Sequence, residues 1–544
     1  MPAHSDRTVC FDLSLGTPYL ISQGMAALNI KDLLLAPELD DQTVTALLQP
    51  YGLKDIDRAD ANLQSIAADP SERQLLAEIL ENLLVAISQS ANPDQGLVYF
   101  ERFARAGLNK PQLFTYLNTS PVAMEMLVKS LGGSSYMAEI LIRDPQLFYW
   151  VSDPQILNRK RSKREIQREI VRTAKALATE QQQLDYLRSV KRREMLHLGV
   201  RDLLRISSVE ETWTALSVLA EALISAAYGI SATALRREYG IKGRAFTGFT
   251  VIAMGKLGGG ELNFSSDVDL MFLYASDAEE AAGVAAPDYF RRLSQKVTMG
   301  LNSLTGEGYV YRVDLRLRPE GKAGNIADAL GGYRRYYKTR LAPWERLALL
   351  KAWPVAGSHT LGHAFREMAD EFIYQGAFGA EDIQDVLSMK RKIDAKVSTR
   401  RNAGRNVKLG PGGIREIELI VQALQVSHGR RLPQIRQRNT MMALKALADH
   451  SLVSQEEYDE LSKAYVFLRD VENKLQMVHD AQTHSLPLAD DELAACANLL
   501  GYAKPNGGRP PVERFEEDYS RHTARVSRLF ASILGSVDLR RFNS

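Results

Sequence analysis

Over the first 240 residues apolar positions recur at steps of three and four, the spacing of a buried helix stripe. Leu75, Leu76, Ile79, Leu80, Leu83, Leu84 and Ile87 form one such stripe. Asn92-Pro93-Asp94, Gly132-Gly133 and Asp153-Pro154 interrupt the pattern with turn chemistry. The period changes near Phe246. Phe249-Thr250-Val251-Ile252-Ala253-Met254 is rich in β-formers, Val268 to Tyr274 is a second apolar run, and Tyr309 to Leu317 alternates as a half-buried strand does. Pro287 to Leu304 has helical composition. Strand, glycine loop, strand, helix and strand in close succession predict a small α/β unit. After Glu381 the helical period returns. Ser454-x-x-Glu457 is a capping-box pattern, and Leu461, Tyr465, Leu468, Val471, Leu475 and Val478 then share one stripe, as a bundle helix requires. The expected fold class is a mostly helical α+β protein. Its expected parts are an N-terminal helical region (1–240), an α/β unit (241–378) and a C-terminal helical bundle (379–544).

Composition narrows the function classes. The chain has 544 residues, 45% hydrophobic and 25% charged, and a formal net charge of +2. That balance argues against a polybasic nucleic-acid coat or membrane-surface binder. Residues 1–100 hold 5 Lys/Arg against 14 Asp/Glu, so the remainder is basic and is the better host for an anionic ligand. Cys10 and Cys496 are too few for a disulfide framework, and the nine histidines form no ligand-spaced cluster for zinc. The opening Met-Pro-Ala-His-Ser-Asp lacks a signal-peptide pattern, and no unbroken apolar run of about 18 residues occurs. A soluble, cytoplasmic protein without a membrane partner is expected.

The candidate chemistry lies between Met254 and Leu270. Asp267 and Asp269, two residues apart on a strand, point to one face and can share hard cations, as phosphoryl and nucleotidyl transfer demand. Gly255, Gly258 and Gly259 leave backbone N–H groups open to a phosphate, with Lys256 and Ser266 adding a charge and a hydroxyl. The loop lacks the Walker A spacing. Asp314 lies among Arg312, Arg316 and Arg318 and is the candidate third acidic ligand and proton acceptor, with the arginines meeting phosphate oxygens. Weaker candidates are Trp344-Glu345-Arg346 with Lys351, the basic run Lys390 to Lys408, and Arg415, Glu416 and Glu418 behind a Gly-Pro-Gly-Gly turn. Each also reads as a structural salt bridge or a solvated helix face. A basic stretch from Arg159 to Thr173 is a solvated face or a dock for an acidic partner.

The strand–Gly-Lys–Asp-x-Asp order resembles the polymerase β-type nucleotidyltransferase superfamily. The full string from Gly255 to Leu270 resembles the glutamine synthetase adenylyltransferase/adenylyl-removase family. Ser135 to Pro145, Arg192-Arg193-Glu194-Met195-Leu196, Trp344-Glu345-Arg346, Lys408 to Glu418 and Leu468 to Asn473 carry the same resemblance over roughly residues 90–490. The Leu468 helix is also similar to the helical domain of PII uridylyltransferases. Asn263-Phe264-Ser265-Ser266-Asp267 is closer to the family's N-terminal, adenylyl-removing half, whereas family chains usually carry two catalytic halves. The resemblance implies Mg²⁺ on Asp267, Asp269 and Asp314 in a two-metal site, and phosphate on the Gly-Lys loop and Ser266. It also implies ATP, ADP and phosphate as substrates or products, glutamine synthetase as protein substrate, and PII as a further partner. Removal of AMP by phosphorolysis and addition of AMP from ATP both remain open. So do AMP or UMP transfer to another protein such as PII, and a non-catalytic module that senses nucleotide while binding glutamine synthetase or PII. Nucleic acid is disfavoured, since basic and aromatic residues do not interleave.

Overall fold

The structure is a computed structural model that describes residues 29–535 apart from Leu108, 243–245, Thr247, Ala377, 399–402 and 504–507. The chain's opening segment, Cys10, part of the basic run before Lys408 and part of the 504–511 loop lie outside the described residues. Helices dominate on both sides of one small mixed sheet, a mostly helical α+β fold.

Seven strands are present among the described residues: β1 (Phe249–Ala253), β2 (Val268–Tyr274), β3 (Glu280–Ala281), β4 (Val284–Ala285), β5 (Val313–Asp314), β6 (Ala327–Ala329) and β7 (Trp353–Gly357). β1 lies between β2 and β7, antiparallel to both, while β5 and β6 pair parallel to the free edge of β2 at its two ends. β3 and β4 form a separate hairpin.

Both faces of the central strands are buried, and the period of two sorts their side chains into two cores. Phe249, Val251, Leu270, Phe272 and Tyr274 join the core of the N-terminal helices. Ile252, Met254, Met271 and Leu273 join the core of the C-terminal helices. The sheet is therefore the wall between two helical bodies. Asp267 and Asp269 share the parity of Met271 and Leu273, so they face the C-terminal side.

The strand expected from Tyr309 to Leu317 is confined to Val313 and Asp314. The amides of Val310 and Tyr311 both donate to the Leu301 carbonyl at the end of the Ala286–Asn302 helix. Past Asp314, Arg318 donates to the carbonyls of Leu315 (2.7 Å) and Asn325 (3.0 Å) and curls the chain into a loop. Val310 and Tyr311, adjacent in the chain, are both buried in the N-terminal core, so burial here follows packing against helices and not the two-residue period of a paired strand.

One helix, Val209–Glu238, is long and apolar enough by composition to cross a membrane, although no unbroken apolar run marks it. Half of its most apolar window is buried, and it packs on β7 and on the helices Lys163–Ala174, Glu180–Leu203 and Ala286–Asn302. Its apolar character is that of a central packing helix.

The helix Gln455–His479 starts at the expected capping box, with the Ser454 amide donating to Glu457 at 2.8 Å. Its second half buries far more than the apolar stripe: Arg469, Glu472, Asn473, Lys474 and Gln476 are all fully enclosed. Such a polar interior is tolerated only when its groups are paired. Arg469 donates to Asn263 Oδ1 (2.7 Å) and Tyr465 OH (2.7 Å), and Lys474 pairs with Asp202 of the Glu180–Leu203 helix. This helix thus ties both bodies to the loop that enters β2.

Candidate active site

β1 runs into a single helical turn, Gly255–Gly259, and the chain returns through Glu261–Ser266 into β2. Gly255 has φ +55°, and a Cβ there would stand 2.5 Å from Asp269 Oδ2. Only glycine meets both demands. Asp269 and Asp314 are register partners on parallel β2 and β5, so their side chains leave the sheet side by side. Asp267 joins them from the same face.

These residues line a cleft of about 430 Å³ between the sheet and the C-terminal helices. Gly255, Lys256, Ser266, Asp267, Asp269, Asp314 and Arg316 form its sheet side. Trp344, Lys351, Met389, Lys408, Arg415, Glu418, Gln422, Gln482 and His484 close it from elsewhere in the chain. Gly258, Gly259, Arg312 and Arg318, all named from the sequence, stand outside the cleft lining. Gly258 packs beneath Lys351, and a Cβ there would lie 1.9 Å from the Lys351 carbonyl oxygen. Gly259 packs against Glu261 and the Arg438 backbone. Arg318 holds loop carbonyls.

The electrostatics are those of an acidic patch framed by cations. Burial, the Asp314 carboxylate and, more weakly, Asp267 push Asp269 up to about 6, against the pull of Lys408. Arg312 Nε donates to Asp267 Oδ1 at 2.7 Å and its Nη2 to the Ser265 carbonyl at 2.7 Å. Arg316 Nε reaches both oxygens of Asp314, at 3.0 and 2.8 Å. Burial raises the Asp314 carboxyl, but Arg316 outweighs it and keeps the group below its ordinary value. Among the described residues no three acidic, imidazole or thiol groups already stand as a metal cage. The two arginines explain this, since each holds one of the carboxylates. The donor set nonetheless fits a hard divalent cation, because three clustered carboxylates repel one another until a positive charge is shared.

Lys256 is largely but not fully enclosed, and its Nζ donates to Glu472 at 2.6 Å. Burial drives this lysine down to about 7, although Glu472 opposes the shift. Glu472 also accepts from Asn263 Nδ2 (2.7 Å), and His484 Nδ1 lies 2.8 Å away. Across the cleft, Lys351 bridges Glu261 (3.0 Å) and Glu418 (2.8 Å). Burial raises Glu418, yet Lys351 outweighs it and holds the carboxyl at about 2.

Of the weaker sequence candidates, Trp344, Lys351, Lys408, Arg415 and Glu418 line the cleft. Glu345 instead caps its own helix through the Ala342 amide (2.9 Å), and Arg346 donates to the Ile373 carbonyl (2.8 Å). Glu416 accepts from the Gly412 amide (3.0 Å) and pairs with Lys390 (2.9 Å). Glu472, Asn263 and His484 were not singled out by charge or spacing. The legible signal was three charged residues, Arg469, Asp470 and Glu472, around Val471 of an apolar helix stripe, where a charge needs a buried partner.

Residues 124–368 match a family model described as glutamate-ammonia ligase adenylyltransferase, and residues 386–534 match one described as GlnD PII-uridylyltransferase. A Xanthomonas campestris pv. campestris (strain B100) protein is 38% identical over 339 residues, covering 61% of this chain and 35% of its own length. One from Thioalkalivibrio sulfidiphilus (strain HL-EbGR7) is 35% identical over 423 residues, 76% of this chain and 42% of its own length. One from Rhizobium meliloti (strain 1021) is 39% identical over 326 residues, 58% and 33% respectively. All three are named bifunctional glutamine synthetase adenylyltransferase/adenylyl-removing enzyme. The chain spans between 33% and 42% of the length of these relatives.

Proposed function

We propose that the chain, whose residues 124–368 match the glutamate-ammonia ligase adenylyltransferase family model, is a Mg²⁺-dependent nucleotidyltransferase acting on glutamine synthetase. The favoured direction is phosphorolytic removal of AMP from an adenylylated tyrosine, with AMP transfer from ATP as the reverse-type reaction on the same site. The observation that carries this reading is the convergence of Asp267, Asp269 and Asp314 beside Gly255 and Lys256 in one cleft.

Asp267, Asp269 and Asp314 would hold the cations, with Arg312 and Arg316 giving up two of the carboxylates. Bound there, Mg²⁺ supplies charge neutralisation at the phosphoryl oxygens and lowers the pKa of a coordinated nucleophile. Lys256, Ser266, Lys408 and Arg415 are the groups that bind phosphate oxygens. Once released from Asp314, Arg316 is a further phosphate ligand, because a guanidinium matches phosphoryl oxygens in pairs. In phosphorolysis an oxygen of inorganic phosphate attacks phosphorus of the tyrosyl-AMP ester. The bond from phosphorus to the tyrosine oxygen breaks, the tyrosine hydroxyl takes up a proton, and ADP leaves. In the opposite-type reaction the tyrosine hydroxyl attacks the α-phosphorus of ATP and pyrophosphate leaves, with Asp314 as acceptor of the hydroxyl proton. Trp344, Leu347 and Leu419 give the cleft an apolar wall for the nucleoside end.

A second reading, transfer of AMP or UMP to another protein such as PII, is favoured by the match of residues 386–534 to a PII-uridylyltransferase model. Labelled ATP and UTP, each offered with glutamine synthetase and with PII, separate the two by which protein takes the label. The first reading expects glutamine synthetase that already carries labelled AMP to lose the label as ADP on addition of phosphate, and any label taken from ATP to fall on glutamine synthetase. Label on PII alone overturns it.

A further inference from the structure

A second cavity, of about 390 Å³, lies among the helices Lys163–Ala174, Glu180–Leu203 and Val209–Glu238, and shares no lining residue with the carboxylate cleft. Its wall is largely apolar, with Ile166, Leu198, Val218 and Leu219. Three of its four basic groups are already neutralised. Arg159 pairs with Glu165 (2.7 Å), Lys160 with Glu211, and Arg161 with Glu169 (2.6 Å) and Glu194.

The fourth is Arg201. It is 5% exposed and donates to the Leu157 carbonyl, but among the described residues it makes no ion pair. Glu211 acts on it only at a distance, and burial lowers its pKa. A guanidinium enclosed without a carboxylate is destabilising, a feature folds seldom retain without use. Beside it stands His197, 2% exposed. Its Nε2 lies 3.4 Å from the same Leu157 carbonyl, and its Nδ1 is buried without a hydrogen-bond partner among the described residues. Burial keeps the ring neutral. With the proton on Nε2, Nδ1 is a bare acceptor.

We propose that this cavity is a binding site for a small organic anion with an apolar body and an adjacent N–H or O–H donor. The anionic group pairs with Arg201, the donor meets His197 Nδ1, and the body covers Ile166, Val218 and Leu219. The ligand supplies the counter-charge that Arg201 lacks and a donor for the unpartnered His197 Nδ1, while the apolar wall accounts for the rest of the volume. The site is independent of the nucleotidyl-transfer reading. It has a mechanical route to the cleft. The Glu180–Leu203 helix that carries His197 and Arg201 also carries Arg188 and Arg192, which hold the carbonyls of Gly308 (2.9 Å) and Glu307 (2.8 Å) just before β5.

The probe is 8-anilinonaphthalene-1-sulfonate, which combines a sulfonate, an anilino N–H and an apolar ring system. Fluorescence titration of the whole chain is expected to show a single saturable site that excess ATP does not displace. Arg201→Met is expected to weaken binding about ten-fold or more, the worth of a charge-assisted hydrogen bond, while Arg201→Lys retains part of it. Ala215→Phe fills the cavity from its wall and weakens binding without removing a charge, which keeps the test open if Arg201→Met does not fold. Non-saturable binding, displacement by ATP, or folded Arg201→Met or Ala215→Phe protein that binds within about two-fold of the parent overturns the proposal.

Discussion

Replacing Glu472 by alanine is the sharpest perturbation of the fold that leaves the cleft's own carboxylates in place. Glu472 is fully enclosed and gathers Lys256 (2.6 Å), Asn263 (2.7 Å), His484 (2.8 Å) and Arg469 (3.4 Å) around one carboxylate. Glu472→Ala strands Lys256 and Arg469 as buried cations without their shared counter-charge. Removing one partner of a buried pair costs about 3–5 kcal/mol, mostly the penalty on the charge left behind. The loss is local, because Lys256 and Asn263 belong to the segment between β1 and β2 and Arg469 donates to Asn263 within it. Hydrogen exchange read by mass spectrometry over residues 260–268 is therefore the assay. There the amide of Leu262 is held by Ser217 (2.9 Å) and that of Phe264 by Asn473 (3.3 Å). At about 1.4 kcal/mol per decade, exchange of this segment accelerates by roughly 100-fold or more. The double variant Lys256→Met/Glu472→Gln strands less charge, and its loss falls short of the sum of the two single variants by about 1–3 kcal/mol. Acceleration below about five-fold, or strict additivity, refutes the claim that Glu472 pins the loop.

Gly258→Ala forces a Cβ to within 1.9 Å of the Lys351 carbonyl oxygen and 2.7 Å of the Ala253 carbonyl oxygen, whereas Gly306 has nothing within 4 Å. Urea denaturation is expected to show a loss of at least about 2 kcal/mol for the first and under about 1 kcal/mol for Gly306→Ala. Glu418 is held at about 2 against an ordinary 4.5, so its contribution is complete above pH 4.5 and lost as pH falls towards 2. Glu418→Gln lowers stability at pH 7 and flattens that part of the acid-unfolding curve; an unchanged acid limb contradicts the pairing with Lys351. Arg316 is largely exposed, so Arg316→Ala changes stability by under about 0.5 kcal/mol. The same variant tightens Mn²⁺ binding measured by calorimetry, because Asp314 loses its competing guanidinium; weaker binding counts against the carboxylate site.

Local pattern carried much of the fold. β1 and β2 fall where apolar runs of β-formers lie, and the Gln455–His479 helix starts at its capping box, because these signals are short-range. Tyr309 to Leu317 misled for the same reason. Alternation in the sequence does not fix pairing: the adjacent Val310 and Tyr311 are both buried in the N-terminal core, while only Val313 and Asp314 pair with β2. At the cleft, spacing brought Asp267 and Asp269 together, and the register of β5 against β2 added Asp314. The distant contributors were hidden. Lys256 read as a free phosphate ligand, yet its partner Glu472 lies 216 residues away, and no local pattern encodes that pairing. Gly258 read as a phosphate cradle, whereas its lack of a side chain serves a close approach to the Lys351 backbone.

The most direct test is formation of ADP when the chain is mixed with adenylylated glutamine synthetase, Mg²⁺ and inorganic phosphate. ADP is expected to appear in step with the loss of AMP from the tyrosine, to require phosphate, and to fall by about 1,000-fold or more in Asp267→Asn/Asp269→Asn. AMP release at an unchanged rate in that double variant contradicts the assignment of these carboxylates. Adenylylated glutamine synthetase left intact, with label passing from ATP or UTP to PII, contradicts the assignment of the substrate.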